Sequence, residues 1–393
     1  MSSSEAPSTV VGPLRLGALA HGGSCVARTE DGRVVFVRHG IPGEVVRVRL
    51  ADTTRAAWWL GEVDEVVEAS PDRIIAPVCP VAGRCGGCDL SHVALARQRT
   101  LKAEVVHDVL RRFAGLDVRV EVAPVPGETT GLHWRTRQRY LVADGRCGLR
   151  AWRSHGFVAT PEDGCPLASP WLPAQSRLAD LAARHGADEI AVAVDDEHRV
   201  SAWVGRTLVE GSPTLRQRVG AAVFTVPGDG FWQVHPGAAT ALAQAVVTAL
   251  EPRDGEAAWD LYCGVGLFAG ALAQCGATVH GVEISPRAVR WARRNVPSAR
   301  FFAGNVERLV PGWPRRVGLV VLDPPRRGAG RAVVEAVAAR APRAVAYVAC
   351  DPAALARDLA YFAGRGYRLD GLAAIDVFPQ THHVEAVARI VPA

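Results

Sequence analysis

Asp260-Leu261-Tyr262-Cys263-Gly264-Val265-Gly266 is the stretch whose reading decides the fold. An apolar strand-like run, Ala257–Tyr262, breaks there into a glycine-containing turn and then into an Ala-rich helical segment. Such a strand–turn–helix lets backbone approach a bound ligand closely. Outward from it, short apolar runs alternate with Ala-rich helical segments: Thr278–Glu283, Arg300–Ala303, Val317–Asp323 and Ala344–Ala349. This alternation predicts an α/β fold, a Rossmann-like parallel sheet with helices on both faces. Leu372–Phe378 and Val384–Val391, joined by a short loop, predict an antiparallel hairpin that closes the sheet.

A Gly-x-Gly alone is weak, and the bland reading is a generic turn beside a solvated Glu. Here the second strand ends in Glu283, about twenty residues on, where a carboxylate can accept two hydrogen bonds from a ribose diol. The missing third glycine and the absence of Gly-Lys-Ser/Thr argue against NAD and ATP. S-adenosylmethionine (SAM) has no pyrophosphate and needs fewer glycines, so Gly264 and Glu283 are expected to hold it. Gly304-Asn305 ends the third strand, where the Asn305 amide can meet an adenine edge or serve as a plain turn residue. Asp323-Pro324-Pro325-Arg326 ends the fourth, its prolines unable to continue the strand.

The fifth strand ends in Ala349-Cys350-Asp351-Pro352. A thiol there, at the start of a helix, sits where the helix dipole can lower its pKa, so Cys350 is a candidate nucleophile; the alternative is a buried structural Cys. Gln380-Thr381-His382-His383-Val384-Glu385 opens the last strand, and Glu385 or either His can take a proton.

Upstream, residues 9–69 read as all-β. Val34–Val37 and Glu44–Val48 are rich in β-branched residues, with Asp31-Gly32 as a type I′ hairpin signal. Four or five strands in so short a span suit a small OB-like barrel. Residues 91–114 read as one helix with Leu95, Leu101, Val105, Val106, Leu110 and Phe113 on an apolar stripe. Arg97, Arg99, Lys102, Arg111 and Arg112 fall on its other face. The expected division is a barrel over 1–69, a central segment over 70–227, and a SAM domain over 228–393, against which helix 91–114 can pack.

Cys79-x5-Cys85-x2-Cys88 is a cysteine triplet, and Cys165-Pro166 offers a distant fourth ligand. Four thiolates hold zinc or an iron–sulfur cluster. The single Cys-x2-Cys and the distant Cys-Pro lean towards the cluster. Cys25, Cys147, Cys263 and Cys275 read as small buried residues.

The net charge, +5 from 45 Lys/Arg and 40 Asp/Glu, permits an anionic partner without demanding one. Residues 91–155 carry twelve Lys/Arg and six Asp/Glu, so they account for the whole excess. Within them, Trp134-Arg135-Thr136-Arg137-Gln138-Arg139 alternates so as to set Arg135, Arg137 and Arg139 on one strand face, where they can track phosphates; the alternative is a solvated strand edge. No run of eighteen apolar residues predicts a membrane span. The start, Met1-Ser2-Ser3-Ser4-Glu5-Ala6-Pro7, lacks a basic region and an apolar run and reads as a short lead-in rather than a signal peptide. A cytoplasmic protein is expected, and in one nine cysteines are metal ligands, catalytic groups or buried thiols rather than disulfides. No interface signature stands out, and a monomer is expected.

Taken together, these motifs resemble the RNA uracil-C5 (5-methyluridine) methyltransferases, in the branch with a TRAM domain and a [4Fe–4S] cluster. Gly22-Gly23-Ser24-Cys25-Val26-Ala27-Arg28 and Pro42-Gly43-Glu44 are similar to the TRAM barrel. Phe231-Trp232-Gln233-Val234-His235 is similar to the family's Phe-Phe-Gln-Val-Asn, which implies that Gln233 touches SAM. The resemblance likewise implies Tyr262, Glu283 and Asp323 at the SAM site, Cys79, Cys85, Cys88 and Cys165 on the cluster, Cys350 as nucleophile and Glu385 as base. His235 and Asp351 stand where the family has Asn, and Ala349 where it has Ser. A negative Asp351 beside Cys350 disfavours the thiolate, against which the helix dipole or Arg326 can act. The implied chemistry is thiolate addition at uracil C6, methylation at C5, and proton removal, with Arg326 or Gln233 as donor to the developing enolate oxygen and Arg326 among the RNA contacts. The implied partner is RNA with the target base flipped out, 23S rRNA ahead of tRNA uridine-54. A cytosine-C5 enzyme fits less well, since these motifs do not resemble that family. The reading from another class is a non-catalytic RNA-binding or RNA-folding protein, which intact catalytic and SAM motifs oppose.

Overall fold

The computed structural model describes residues 9–313 and 316–393; the expected lead-in at residues 1–7 lies outside the described residues. Five strands come first: β1 (Val10–Arg15), β2 (Cys25–Arg28), β3 (Val34–Arg38), β4 (Val45–Asp52) and β5 (Trp58–Glu68). They form one curled sheet in the order β1-β4-β5-β3-β2. Alternation builds its core: Val35 and Val37 on β3, and Val46 and Val48 on β4, are fully buried. The β2–β3 hairpin forms, but not through a two-residue type I′ turn. Gly32 alone of the Asp31-Gly32 pair has positive φ, and Thr29 and Arg33 close a longer loop.

Next come α1 (Leu95–Ala114), β6 (Val122–Pro124), β7 (Arg137–Ala143), β8 (Arg146–Arg150), β9 (Phe157–Ala159), α2 (Gln175–Arg184), β10 (Glu189–Val194), β11 (Val200–Val204) and β12 (Thr207–Gly211). Apart from β6, these strands make an antiparallel sheet ordered β12-β11-β10-β7-β8-β9, so β7 is interior rather than an edge. A hairpin, β13 (Thr214–Val219) and β14 (Ala222–Pro227), and α3 (Ala238–Leu250) lead into the last unit.

That unit runs β15 (Ala257–Leu261), α4 (Leu267–Gln274), β16 (Thr278–Glu283), α5 (Pro286–Asn295), β17 (Arg300–Ala303), α6 (Val306–Leu309), β18 (Leu319–Leu322), α7 (Arg331–Ala338), β19 (Ala344–Ala349), α8 (Pro352–Ala363), β20 (Tyr367–Asp376) and β21 (Glu385–Pro392). The sheet order is β17-β16-β15-β18-β19-β21-β20-β6. The first five strands are parallel, and β18 and β19 are buried at every position, as strands covered on both faces must be. The C-terminal hairpin forms, yet it does not close the sheet. β6 adds outside β20 in parallel register, with Val122 opposite Ala374.

Helix α1 differs from its sequence reading at one residue of each face. Lys102, on the basic face, is 1% exposed, and Phe113, on the apolar stripe, is exposed. Lys102 Nζ donates to Asp376 Oδ1 at 2.5 Å and to the Phe378 carbonyl at 3.0 Å. A buried ammonium is tolerated only with such a partner, and removing one member of a buried pair typically costs about 3–5 kcal/mol. The barrel, α1 and one face of the last sheet share one continuous apolar core. Among the described residues no helix is long and apolar enough to cross a membrane.

Candidate active site

At the carboxyl ends of β15, β16, β18 and β19 lies a cleft of about 790 Å³. Crevices outside these strand ends are where such sheets bind ligands. Gly264 and Gly266, at φ +54° and +95°, make the turn after β15 that opens it. Asp260 is fully buried beneath; its Oδ2 accepts from the Ala269 amide at 2.8 Å, bracing the start of α4. Burial pushes the Asp260 carboxyl up to about 7. At the end of β16, Glu283 accepts from the Gly264 amide at 3.3 Å and from the Ser285 amide at 2.8 Å. Glu283 is thereby fixed beside the glycine turn.

The cleft is lined by Gln233, Tyr262, Gly264, Glu283, Asn305 and Asp323, and also by Arg326, Cys350 and Glu385. Asn305 is in part the turn residue its sequence context allowed: its side-chain oxygen caps α6 through the Glu307 amide at 2.8 Å, leaving its NH2 group as a donor. Desolvation, with the Glu283 carboxylate nearby, raises Asp323 to about 7.

Cys350 follows β19 and Glu385 begins β21. These strands pair antiparallel with Ala349 opposite Ala386, so the next step of the register sets Cys350 opposite Glu385. The expected lowering of the Cys350 pKa is not what the surroundings produce. Burial and the carboxylates of Glu385, Asp323 and Asp351 push the thiol up to about 11, against the Arg326 guanidinium. Burial beside Asp323 also holds Glu385 well above the usual carboxylate range. Arg326 Nη2 lies 3.3 Å from His383 Nε2; guanidinium only donates, so this imidazole nitrogen accepts. Burial lowers His383 to about 3, in keeping with a neutral ring.

The three arginines have separate surroundings. Arg137 is inside the fold, where Nη1 donates to the Gly228 and Gly230 carbonyls at 2.9 and 2.8 Å. It therefore holds the loop that leads to Phe231-Trp232-Gln233, a task the strand pattern gave no sign of. Arg139 pairs with Glu189 on the surface, and Arg135 lies over the Trp134 ring. Other charges of the basic segment are likewise paired: Arg97 with Asp72 and Glu104, Arg99 with Asp376, and Arg111 and Arg112 with Asp108.

Cys79, Cys85, Cys88 and Cys165 line a second cavity, of about 150 Å³. Burial raises Cys79, Cys85 and Cys88, the last to about 12, and Cys165 adds to each. Among the described residues, no three His, Cys, Asp or Glu side chains are grouped so as to hold a metal ion. The loop carrying Cys88 is bonded to the segment that leads into Glu385. The Asp89 and Leu90 amides both donate to the Gln380 carbonyl at 3.0 Å, and His382 Nδ1 meets Asp89 Oδ2 at 2.6 Å. From α1, Gln98 accepts from the Gln380 amide at 2.9 Å. Neither Asp89 nor Gln98 carries a sequence signal for this work.

Fold and cleft define a SAM-dependent methyltransferase with an N-terminal TRAM domain. Residues 14–57 match the TRAM domain, 259–321 a methyltransferase domain, and 315–390 the tRNA (Uracil-5-)-methyltransferase family. A Streptomyces avermitilis protein named "Uncharacterized RNA methyltransferase" is 42% identical over 426 residues, spanning 97% of this chain and 98% of its own length. A Corynebacterium glutamicum protein of the same description is 36% identical over 397 residues, covering 95% of this chain and 94% of its own. The chain belongs to the RNA (uracil-5-)-methyltransferase family. Its fold is similar to that of the Pyrococcus abyssi tRNA (uracil-54, C5)-methyltransferase solved with S-adenosyl-L-homocysteine. The TM-score is 0.72 at 22% identity, over 96% of this chain and 99% of that one.

Proposed function

We propose that this protein methylates C5 of a uridine in 23S rRNA through a covalent adduct between Cys350 and uracil C6. The observation that carries the reading is the β19–β21 register, which sets a thiol and a carboxyl opposite each other in the same cleft as the glycine turn and Glu283. SAM, when bound, supplies an electrophilic methyl group. Glu283 would accept hydrogen bonds from its ribose, and Gln233, Tyr262, Gly264, Asn305 and Asp323 would complete the cofactor's surroundings.

Uracil C5 is a poor nucleophile. Addition of the Cys350 thiolate at C6 moves electron density to C5, which would then take the methyl group as its bond to the SAM sulfonium breaks and S-adenosyl-L-homocysteine leaves. Arg326, oriented by His383, donates to the developing enolate oxygen. Glu385 removes the C5 proton, the C5–C6 double bond re-forms, and the thiolate leaves. The target base leaves its stack to enter the cleft, with Arg135, Arg139 and Arg326 near the RNA backbone. Arg137 contributes indirectly, through the Gln233 loop.

The four cysteines fit a [4Fe–4S] cluster. What supports this is the all-sulfur donor set around one cavity. A bound cluster would fasten the Cys88 loop, and through Asp89 the base-bearing loop, to the Cys165 segment; its role is structural. The TRAM domain and these cysteines favour rRNA over tRNA. Mapping 5-methyluridine in the rRNA and tRNA of a deletion strain tests this. Loss at a 23S site is expected; loss only at tRNA position 54 would transfer the reading to tRNA.

A further inference from the structure

The TRAM loop reaches the residue that follows the nucleophile. His21 Nε2 lies 3.3 Å from Asp351 Oδ2. A carboxylate oxygen only accepts, so the imidazole donates, whichever its charge. The other oxygen, Oδ1, accepts from the Ala353 and Ala354 amides, each at 2.9 Å, and caps α8. The carboxylate is thus divided: one oxygen holds the helix that starts behind Cys350, the other holds the TRAM loop. An Asn at this position could still cap α8 through its oxygen, but it would meet His21 as a donor and would carry no negative charge.

The loop is seated rather than merely near. Gly22 and Gly23 turn it at φ +100° and +81°. A Cβ on Gly23 would come within 3.0 Å of the His382 Cβ and 3.2 Å of the Asp89 Cβ. Only glycine allows that approach without strain. The charged and titratable groups around this pair come from every neighbouring segment. Asp351, Glu385, Asp323 and Arg326 act on Cys350, and the His21 ring meets the His382 ring edge-on at 6.4 Å.

We propose that His21 is a positioning residue for the nucleophile: it holds Asp351 by its outer oxygen and draws that carboxylate's negative charge away from the Cys350 sulfur. The TRAM domain then completes the surroundings of the reacting thiol. The His21 hydrogen bond is also the largest influence holding the Asp351 carboxyl down at about 2. The proposal rests on the reading of Cys350 as nucleophile.

The test is the rate of iodoacetamide alkylation at Cys350, followed by peptide mass spectrometry on the full chain from roughly pH 7 to 10. Wild type, His21→Ala, His21→Gln, Asp351→Asn and the His21→Ala/Asp351→Asn double variant are compared, with Cys350→Ala as the blank. His21→Ala is expected to slow alkylation about threefold and move the profile up by about half a pH unit. His21→Gln keeps an N–H donor and is expected to restore most of the rate. In the Asp351→Asn background, His21→Ala is expected to change nothing. A His21→Ala profile that superimposes on wild type, or an equal shift in the Asp351→Asn background, overturns the proposal. The two readings fail differently. If Cys350 is not the nucleophile, wild type forms no adduct with 5-fluorouridine RNA while the alkylation shift persists. If only the positioning role is wrong, the adduct forms and the shift is absent.

Discussion

Ala349 stands opposite Ala386 across the β19–β21 ladder, and this one register carries Cys350 and Glu385 to the same wall of the cleft. A slip of β21 by one residue would turn Glu385 to the face opposite Cys350. The pairing is held from outside the catalytic domain as well. Gln98 and Lys102 on α1, and Asp89 beside the cysteine cavity, bind the segment that leads into Glu385.

Glu385→Gln should separate the two halves of the reaction. An amide cannot take the C5 proton, so turnover should fall by roughly 10²–10⁴-fold while covalent protein–RNA accumulates. Denaturing gels of reactions with ordinary RNA measure this. Fast turnover without an accumulating adduct would remove Glu385 from the base role.

Methyl transfer should rise with pH. The Cys350 thiol, raised to about 11, is protonated at neutral pH, and burial shifts Glu385 in the same direction, above its usual range. Both must lose a proton to act, so the two effects have the same sign. kcat/KM, which reports the free enzyme, should climb between about pH 7 and 9, by up to tenfold per pH unit from the thiol alone. A profile flat over that range would mean that the thiol is already ionised in the free enzyme.

Replacing Cys88 by Ser should lower the iron and sulfide content of anaerobically prepared protein from roughly four of each per chain. Because Asp89 and Leu90 hold the Gln380 carbonyl, the same change should also lower Tm and slow methylation. Wild-type protein that carries zinc and no sulfide would contradict the cluster.

Much of this was legible in the sequence because its signals are local. Thr278–Glu283 and Ala344–Ala349 have the bounds their patterns predicted, and the 260–266 turn identified the cleft. What stayed hidden depends on contacts far apart in the chain. Lys102 falls on the basic face of α1, and nothing local shows that Asp376, 274 residues away, meets it in the interior. The arginine alternation on β7 could not reveal that Arg137 bonds two carbonyls more than ninety residues on. The helix start at Cys350 suggested an easily ionised thiol, but the carboxylates that oppose ionisation include Asp323 and Glu385, from other strands. His21 lies 330 residues from Asp351, beside a stretch whose sequence resembles only the TRAM barrel.

The central claim is covalent attack by Cys350, and trapping tests it most directly. After methylation, a 5-fluorouridine target has fluorine where Glu385 needs a proton, so the adduct cannot resolve. With SAM and 5-fluorouridine-containing RNA, wild-type protein should form a stable covalent complex, and Cys350→Ala should form none. A complex that persists in Cys350→Ala would contradict the account.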